Sequence, residues 1–243
     1  VRYKQTTIGV LWAVIRPLLT LLVMAFVGWL FGSEVPGQVP RLILVGAATL
    51  PWTFFSSAFS DAANSLVVNS NLLTKVYFPR LVVPVSAVIV CLIDLLISFI
   101  ILLVLMFVYR FVPDQRILLL PLFIGLALMT ALGAGLLIAA LNVKYRDFRY
   151  IIPFIVQFGL YVSPVAFASS DVLTHPRIPE FVKVLYTLNP VVGVIDGFRW
   201  CLLGGQVDLY LPGFLTSVGI SVVLLIVGIR YFRNTERSFA DVI

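Results

Sequence analysis

Long runs without charge are the feature that most constrains how this chain can fold. Charged residues make up only 12% of the 243 residues, about half the usual share in soluble domains. A helix needs about 20 apolar residues to cross the hydrocarbon core of a membrane. Continuous runs favour helices, because the strands of a membrane barrel would alternate apolar and polar residues. The runs predict six spans, at residues 17–33, 42–60, 81–109, 117–141, 150–168 and 209–229.

The excess of positive charge falls on one side of these spans. Six spans place both termini on the same side, and an excess of Lys and Arg marks the cytoplasmic side. The segments predicted there (1–16, 61–80, 142–149 and 230–243) carry eleven cations and four acids, so 11 − 4 = +7. The segments on the other side carry six of each, 6 − 6 = 0, and Asp94 within a span brings the total to +6. The pattern predicts cytoplasmic termini and no nucleic-acid partner.

The stretch NVKYRDFRY, residues 142–150, is unusually polar for its surroundings. A nucleic-acid patch, a catalytic cluster and a loop between two membrane spans would all contain such residues. The charge distribution favours the loop, on the cytoplasmic side between spans 4 and 5. Its cations Lys144, Arg146 and Arg149 would then meet the headgroups of the inner leaflet.

Three other segments have patterns that differ from those of the spans. Residues 1–16 predict a helix in the membrane interface that ends before Pro17, because proline interrupts an ongoing helix. Residues 61–80 are too long for a bare turn and suit a short helix that docks a partner. Residues 169–205 predict two amphipathic helices separated at Asn189-Pro190. This pair fits a lid that dips into the outer leaflet, and it fits an inert surface hairpin equally well.

Residues able to carry out chemistry are scarce in this chain. It has no phosphate-binding G-x-x-x-x-G-K-[ST] stretch, and one His with two Cys predicts neither a metal site nor a disulfide framework. Asp94 is the one ionisable group within a span, where a charge costs about 2.5–3.5 kcal/mol. It is either a proton-relay acid or an acid hydrogen-bonded within the helix packing, and the lack of a second such group favours packing.

Aromatic residues cluster within the second predicted span, at Trp52, Phe54, Phe55 and Phe59. Rings that face a pathway would suit the C–H faces of sugars and let a chain slide past. Rings that face other helices would only fill the core, and the sequence supports both interpretations.

Four stretches resemble the membrane subunits of ABC exporters for polysaccharides. They are VRYKQTTIGVLWAVIRPLLT, LPWTFFSSAFSDAANSLVVNSNLLTKVYFPR, NVKYRDFRYIIPFIVQFGLYVSPVAF and LNPVVGVIDGFRWCLLG, and the final ERSFADVI fits as well. They extend over almost the whole chain and are most similar to the O-antigen and capsule permeases, with teichoic-acid exporters as relatives. Because Val1 is not an initiator Met, we expect residues to precede it.

The resemblance implies an all-α integral membrane protein with one transmembrane domain over residues 1–243. It implies six transmembrane helices, an N-terminal interfacial helix, and a periplasmic re-entrant helix pair between spans 5 and 6. The chain would lie in the inner membrane and move a lipid-linked polysaccharide from cytoplasm to periplasm along the axis of a homodimer. It would be a permease and not an enzyme, because ATP and Mg²⁺ would bind to two copies of a separate ABC ATPase and no cofactor to this chain.

Roles for particular residues also follow from the resemblance. Coupling to the ATPase would involve Arg2, Lys4, Asn69, Asn71, Leu72 and Lys75. The polymer path would include Trp52, Phe54, Phe55, Phe59 and Tyr161, and the periplasmic gate Phe181, Leu185, Ile195, Phe198 and Trp200. The basic loop could meet the phosphate of the lipid carrier. Three alternatives remain: a proton-coupled transporter that uses Asp94, a membrane-embedded transferase, and export of capsule or teichoic acid in place of O-antigen.

Overall fold

The computed structural model describes residues 9–30, 39–70, 78–145, 147–204 and 206–236. All regular structure in these residues is helical, which confirms the predicted all-α class for the described chain. The α-helices are α1 (Gly9–Leu30), α2 (Arg41–Val68), α3 (Val82–Val108), α4 (Leu120–Lys144), α5 (Phe148–Val162), α6 (Ser169–Leu173), α7 (Glu180–Thr187), α8 (Pro190–Leu202) and α9 (Leu211–Thr235). A 3₁₀ helix, Gln115–Leu119, leads into α4.

Four of these helices are long and apolar enough to cross a membrane, namely α2, α3, α4 with its 3₁₀ turn, and α9. Helices α7 and α8 meet at 75° and would count as a fifth span if taken as one broken helix. The apolar parts of α1 and α5 are shorter. The 15 residues of α5 extend about 22 Å, less than the roughly 30 Å of a hydrocarbon core. The described chain therefore has four to five candidate spans, and the predicted six are not confirmed.

The predicted boundary between an interfacial helix and a first span does not coincide with a helix end. Helix α1 continues through Pro17 in its interior. Proline removes one backbone hydrogen bond, and a membrane helix tolerates this loss where neighbouring groups satisfy the freed carbonyl. The predicted interfacial position of residues 1–16 stays a prediction, since residues 1–8 lie outside the described chain.

Two further helix ends differ from the predicted limits of their spans. Helix α2 does not end at residue 60 but continues to Val68, because DAANSLVV contains no helix breaker. Helix α5 ends at Val162, six residues before the predicted limit of 168. There Ser163 is extended, with ψ of 149°, as expected for a residue that precedes a proline. The chain from 163 to 168 is therefore irregular.

Helix α2 forms the centre of the bundle. Its residues between Ile43 and Leu66 are mostly buried, and it contacts α1, α3, α4, α5 and α8. At the end where α2, α4 and α9 finish and α3 begins, an apolar cluster that includes Leu66, Val83, Val143 and Phe232 joins the four helices. We call this end the basic end, because the basic loop around Lys144 and Arg149 lies there. The position of α2 leaves the outer faces of the other helices exposed.

Helices α4 and α9 cross at very short range because small residues face each other. A Cβ atom at Gly133 would lie 2.6 Å from the backbone nitrogen of Leu225, and the carbonyl of Gly133 in turn faces Gly228. One layer away, the hydroxyls of Thr130 and Ser221 are 2.7 Å apart and hydrogen-bonded. Such small-residue contacts are how membrane helices associate, because lipid provides no hydrophobic force between them.

We expect Gly133→Ala to destabilise the protein, because the added methyl group must push two backbones apart. The matched control is Gly125→Ala in the same helix, where a Cβ would have nothing within 4 Å. Alanine favours a helix over glycine by about 1 kcal/mol, so the control should be neutral or slightly stabilising. Thermal unfolding in detergent measures both variants. Equal melting temperatures would contradict the close crossing.

Candidate functional site

An exposed row of aromatic rings lies along one face of α5. Tyr150, Phe154, Phe158 and Tyr161 follow each other at spacings of four, four and three residues, which places them on one helix face. Their exposed fractions are 83%, 66%, 58% and 71%. The rings of Phe154 and Phe158 are stacked, with centroids 5.8 Å apart and planes 8° from parallel. This surface, named the α5 aromatic face, is a row of four exposed rings along one helix.

The opposite side of α5 is attached to α2. Ile152 is fully buried, and Gly159 approaches Trp52 so closely that a Cβ would lie 2.7 Å from its ring. Helix α5 is therefore anchored along one side while its rings point away from the subunit.

The aromatic cluster predicted in the second span lies inside the helix packing. Trp52, Phe54, Phe55 and Phe59 are all buried. Phe55 and Phe59 stack with centroids 5.8 Å apart, and Trp52 lies 5.8 Å from Phe55. Of the rings predicted to line a path, Tyr161 alone is exposed. The role of all five as path residues stays a prediction.

The irregular chain after α5 is fixed by a buried arginine of α8. The side chain of Arg199 is almost completely buried, at 1% exposure. Its Nη1 donates to the carbonyl of Phe167 at 2.8 Å, and its Nη2 donates to the carbonyl of Val165 at 3.2 Å. Non-helical backbone at membrane depth is tolerated only where protein groups or a watery cavity satisfy it. Arg199 supplies donors to two carbonyls that no helix satisfies.

Two more polar contacts hold the same segment at its ends. Asn189 Nδ2 donates to the hydroxyl of Ser163 at 3.1 Å. At the other end, the hydroxyl of Ser169 donates to Asp196 Oδ1 at 2.7 Å and lies 3.0 Å from the hydroxyl of Tyr186. Since the Ser169 proton goes to Asp196, Tyr186 is the donor to Ser169. Residues 163–169 are thus tied at three points to α7, α8 and the turn between them, and we call this arrangement the 163–169 clamp.

The two helices predicted as a gate differ in their surroundings. Residues 191–199 of α8 are all buried, including the predicted gate residues Ile195 and Phe198. The ring of Trp200 is half-buried and lies 4.8 Å from the guanidinium carbon of Arg116. In α7, Phe181 and Leu185 are exposed, whereas Tyr186 points inward. Helix α7 therefore presents an apolar outer face, and its placement as part of a re-entrant pair stays a prediction.

Several residues predicted for coupling fall outside the described chain, namely Arg2, Lys4, Asn71, Leu72, Lys75 and also Arg146 of the basic loop. Asn69 is described and closes α2, where its Nδ2 donates to the carbonyl of Ser65 at 2.8 Å. Lys144 and Arg149 of the basic loop are exposed at the basic end. Nearby, the buried Asn142 donates to the carbonyl of Ala63 at 2.9 Å and so joins α4 to the last part of α2.

The basic end is closed by a contact between the start of α3 and the end of α9. Arg80 donates from its guanidinium to the backbone carbonyl of Glu236, and its backbone nitrogen donates to Glu236 Oε1 at 3.3 Å. The residue predicted as a buried acid, Asp94, is half-buried in the middle of α3. Among the described residues, no group of His, Cys, Asp and Glu is arranged to hold a metal ion.

Comparison with known proteins places this fold in a family. Residues 1–203 match the family of ABC-2 type transporters. The chain belongs to the ABC-2 type transporter family. The result confirms the resemblance found in the sequence, and it makes the chain a multi-pass membrane protein.

Three curated relatives extend over nearly the whole ABC-2 chain. An O-antigen export system permease protein RfbA of Klebsiella pneumoniae is 27% identical, covering 100% of this chain and 90% of the relative. RfbA of Myxococcus xanthus is 26% identical, with 99% and 90% covered. The polysialic acid transport protein KpsM of Escherichia coli is 23% identical, with 98% and 90% covered. These relatives are named as permease or transport proteins, which agrees with the predicted permease role and not with an enzyme.

Sequence reasoning missed the clamp of this ABC-2 transporter. The charge count of the outer segments includes Arg199 and Asp196, whereas both are buried in α8. Without these two residues, the net charge of the outer segments changes from 6 − 6 = 0 to 5 − 5 = 0. The predicted orientation in the membrane is therefore unaffected. One signal was available: an acid and a base stand three residues apart in the otherwise apolar VVGVIDGFRWCLL, a spacing that places both on one helix face.

We expect Arg199→Met to destabilise this transporter, because it leaves the carbonyls of Val165 and Phe167 buried without donors. An unsatisfied buried polar group costs about 1–3 kcal/mol, and two are affected here. The control is Arg177→Met, since Arg177 is exposed in the loop before α7. Thermal unfolding in detergent compares the two. If Arg199→Met melts no earlier than Arg177→Met, the clamp does not support the fold.

Proposed function

We propose that this chain is the permease subunit of an ATP-driven exporter that moves a lipid-linked, O-antigen-like polysaccharide out of the cytoplasm. Two copies of the chain pair with two copies of a separate ABC ATPase, which binds ATP and Mg²⁺. The proposal is supported by the names of the relatives RfbA and KpsM and by family membership. A hydroxyl-rich polymer needs such a protein, because each unsatisfied polar group costs several kcal/mol in hydrocarbon.

The observation that carries the proposal is the α5 aromatic face. A polymer path cannot run through the described subunit, whose centre is filled by α2 and its buried rings. It must run along an outer surface that a second copy completes. The α5 aromatic face offers four exposed rings in a row along one helix. Flat rings contact the C–H faces of sugars without fixing any one position, which suits a moving chain.

The proposed arrangement in the membrane follows from the charge distribution. The basic end faces the cytoplasm of an inner-membrane protein, with both termini on that side. Helices α1, α2, α3, α4 and α9 each cross, and α5 crosses together with the irregular residues 163–168. Helices α7 and α8 then form the periplasmic gate, dipping back into the outer leaflet. The complete burial of residues 191–199 supports this depth for α8.

Coupling to ATP hydrolysis is proposed to occur at the basic end. In this arrangement the ATPase contacts the part of the predicted coupling segment 61–80 that follows the buried end of α2, together with the N-terminal residues Arg2 and Lys4. The continuous helix from Arg41 to Val68 supports the proposal, because a rigid rod links the segment to the core. The basic loop with Lys144 and Arg149 lies at the same end and would attract the carrier phosphate.

The aromatic face can be tested by removing its two central rings. We expect Phe154→Ala with Phe158→Ala to lower ATP-dependent export by about tenfold, equivalent to about 1.4 kcal/mol shared by two rings. Export is measured with the chain co-expressed with its ABC ATPase in cells that make the polymer but lack their own permease. The ATPase activity of the complex should be unchanged in this variant. The proposed dimer should also persist, as judged by its mass in light scattering.

The matched control is Phe107→Ala near the end of α3, whose ring is 85% exposed and is not part of the α5 aromatic face. Phe107→Ala should leave export unchanged, because it keeps all four rings of the α5 aromatic face. The double variant Phe154→Tyr with Phe158→Tyr should also export normally, because tyrosine keeps a ring at each position. Unchanged export in the double alanine variant would contradict a path along α5.

The proton-coupled alternative is tested separately through Asp94. We expect Asp94→Asn to keep export within about twofold, because ATP hydrolysis, and not proton transfer through an intramembrane acid, drives the proposed export. A proton-coupled transporter would lose all transport in this variant and would not respond to the ATPase. Transport is measured in proteoliposomes with and without ATP, and with and without a proton gradient. The dependence of transport on ATP or on the gradient distinguishes the two mechanisms.

A further inference from the structure

A crevice opens between α3 and the first turns of α4. Its floor is formed by Leu95, Leu120 and Phe198, all of them buried, and its volume is about 280 Å³. Its mouth lies between Leu96 and Pro121, which are both exposed. Each side chain along the wall is apolar. The crevice lies between the middle of α3 and the start of α4, on the side of the bundle away from the basic end.

The chemistry of the wall determines what can fill the crevice. An apolar cavity gives water no hydrogen-bond partners and stays dry, whereas an empty one loses the dispersion contacts of its lining. The mouth opens on the outer face of α3, where Ile93, Leu96 and Ile100 are 56–59% exposed. That face belongs to a candidate span, so its surroundings are lipid. The apolar group available to enter the crevice from this side is therefore the hydrocarbon chain of a membrane lipid.

A basic residue stands at the rim of the crevice. Arg116 immediately precedes Ile117, which lines the wall, and its guanidinium carbon lies 4.8 Å from the centre of the Trp200 ring. Its closest approach to Asp114 is 3.7 Å, through Nε. Arg110 follows the end of α3 at the same end of the bundle. Arginine at a membrane surface binds phosphate with a planar fork of donors.

We propose that the crevice binds one acyl chain of a membrane phospholipid, whose phosphate contacts Arg116. The apolar floor holds the chain, and the rim charge fixes the headgroup at the level of the 3₁₀ turn. A lipid bound in this way joins α3 to α4 and α8 where the crevice separates them. The proposal needs only the membrane location of the chain and does not depend on its cargo.

The test uses the full-length transporter with a photoreactive benzoylphenylalanine in place of Phe99, which lines the crevice. The control carries the same probe in place of Phe107, which is exposed on the same helix. Both are reconstituted in vesicles of equal parts phosphatidylglycerol and phosphatidylethanolamine, extracted, washed extensively in detergent, illuminated and analysed by mass spectrometry. A lipid held in the crevice survives the wash, whereas lipid at the general surface is exchanged for detergent.

We expect phospholipid adducts at position 99 to exceed those at position 107 by at least about fivefold. Arg116→Gln should lower the adduct yield at position 99 by about fivefold, the ratio that one basic residue supports at a lipid surface. Equal yields at both positions would overturn the proposal and assign the contact to annular lipid. Detergent adducts alone, or a covalent dimer through position 99, would overturn it as well, the latter because a second copy would cover the crevice.

Discussion

The arrangement of the outer half of the molecule depends on one buried guanidinium. Arg199 donates to the carbonyls of Val165 and Phe167, where the chain has left helix α5 and has no regular partner. A buried charge costs several kcal/mol in desolvation unless it is well hydrogen-bonded. Here the same contacts offset part of two costs, because the arginine needs acceptors and the irregular backbone needs donors. Among the described residues, Nε of Arg199 has no hydrogen-bond acceptor. Its donors stabilise the irregular backbone where α5 ends early and the chain turns toward α7.

The bundle combines this polar support with close packing by small residues. Gly133 allows α4 and α9 to touch backbone to backbone, and Gly159 lets α5 lie against the Trp52 ring. These contacts give the subunit a filled centre around α2. Exposed aromatic and apolar side chains cover the outward faces of the surrounding helices, α5 and α7 among them. The described residues leave no route for a polymer through the centre of the bundle, which is why the proposed path runs along an outer surface.

The sequence predicted the class of the fold and the general position of most helices, since uncharged runs of about 20 residues have few alternatives to a membrane helix. It could not predict which way the rings of α2 point. In a soluble helix the polar face marks the outside, whereas in a membrane helix the lipid-facing side is as apolar as the core. Trp52 and Phe59 therefore looked the same as Phe154 and Phe158, although the first two are buried and the others exposed. Arg199 was misplaced for a related reason, because a charge on a predicted amphipathic helix is normally solvated.

The complete burial of α8 has a consequence for how this chain can vary among its relatives. Every residue from 191 to 199 is surrounded by protein, so a change of size at any of these positions must be matched by a change on α2, α4 or α9. The outer face of α7, with Phe181 and Leu185 exposed, is free of that requirement and only has to remain apolar. Two neighbouring helices of the same hairpin are thus subject to different evolutionary pressures. Residues on the outer face of α7 can change one at a time, whereas residues of α8 can change only together with the residues they contact.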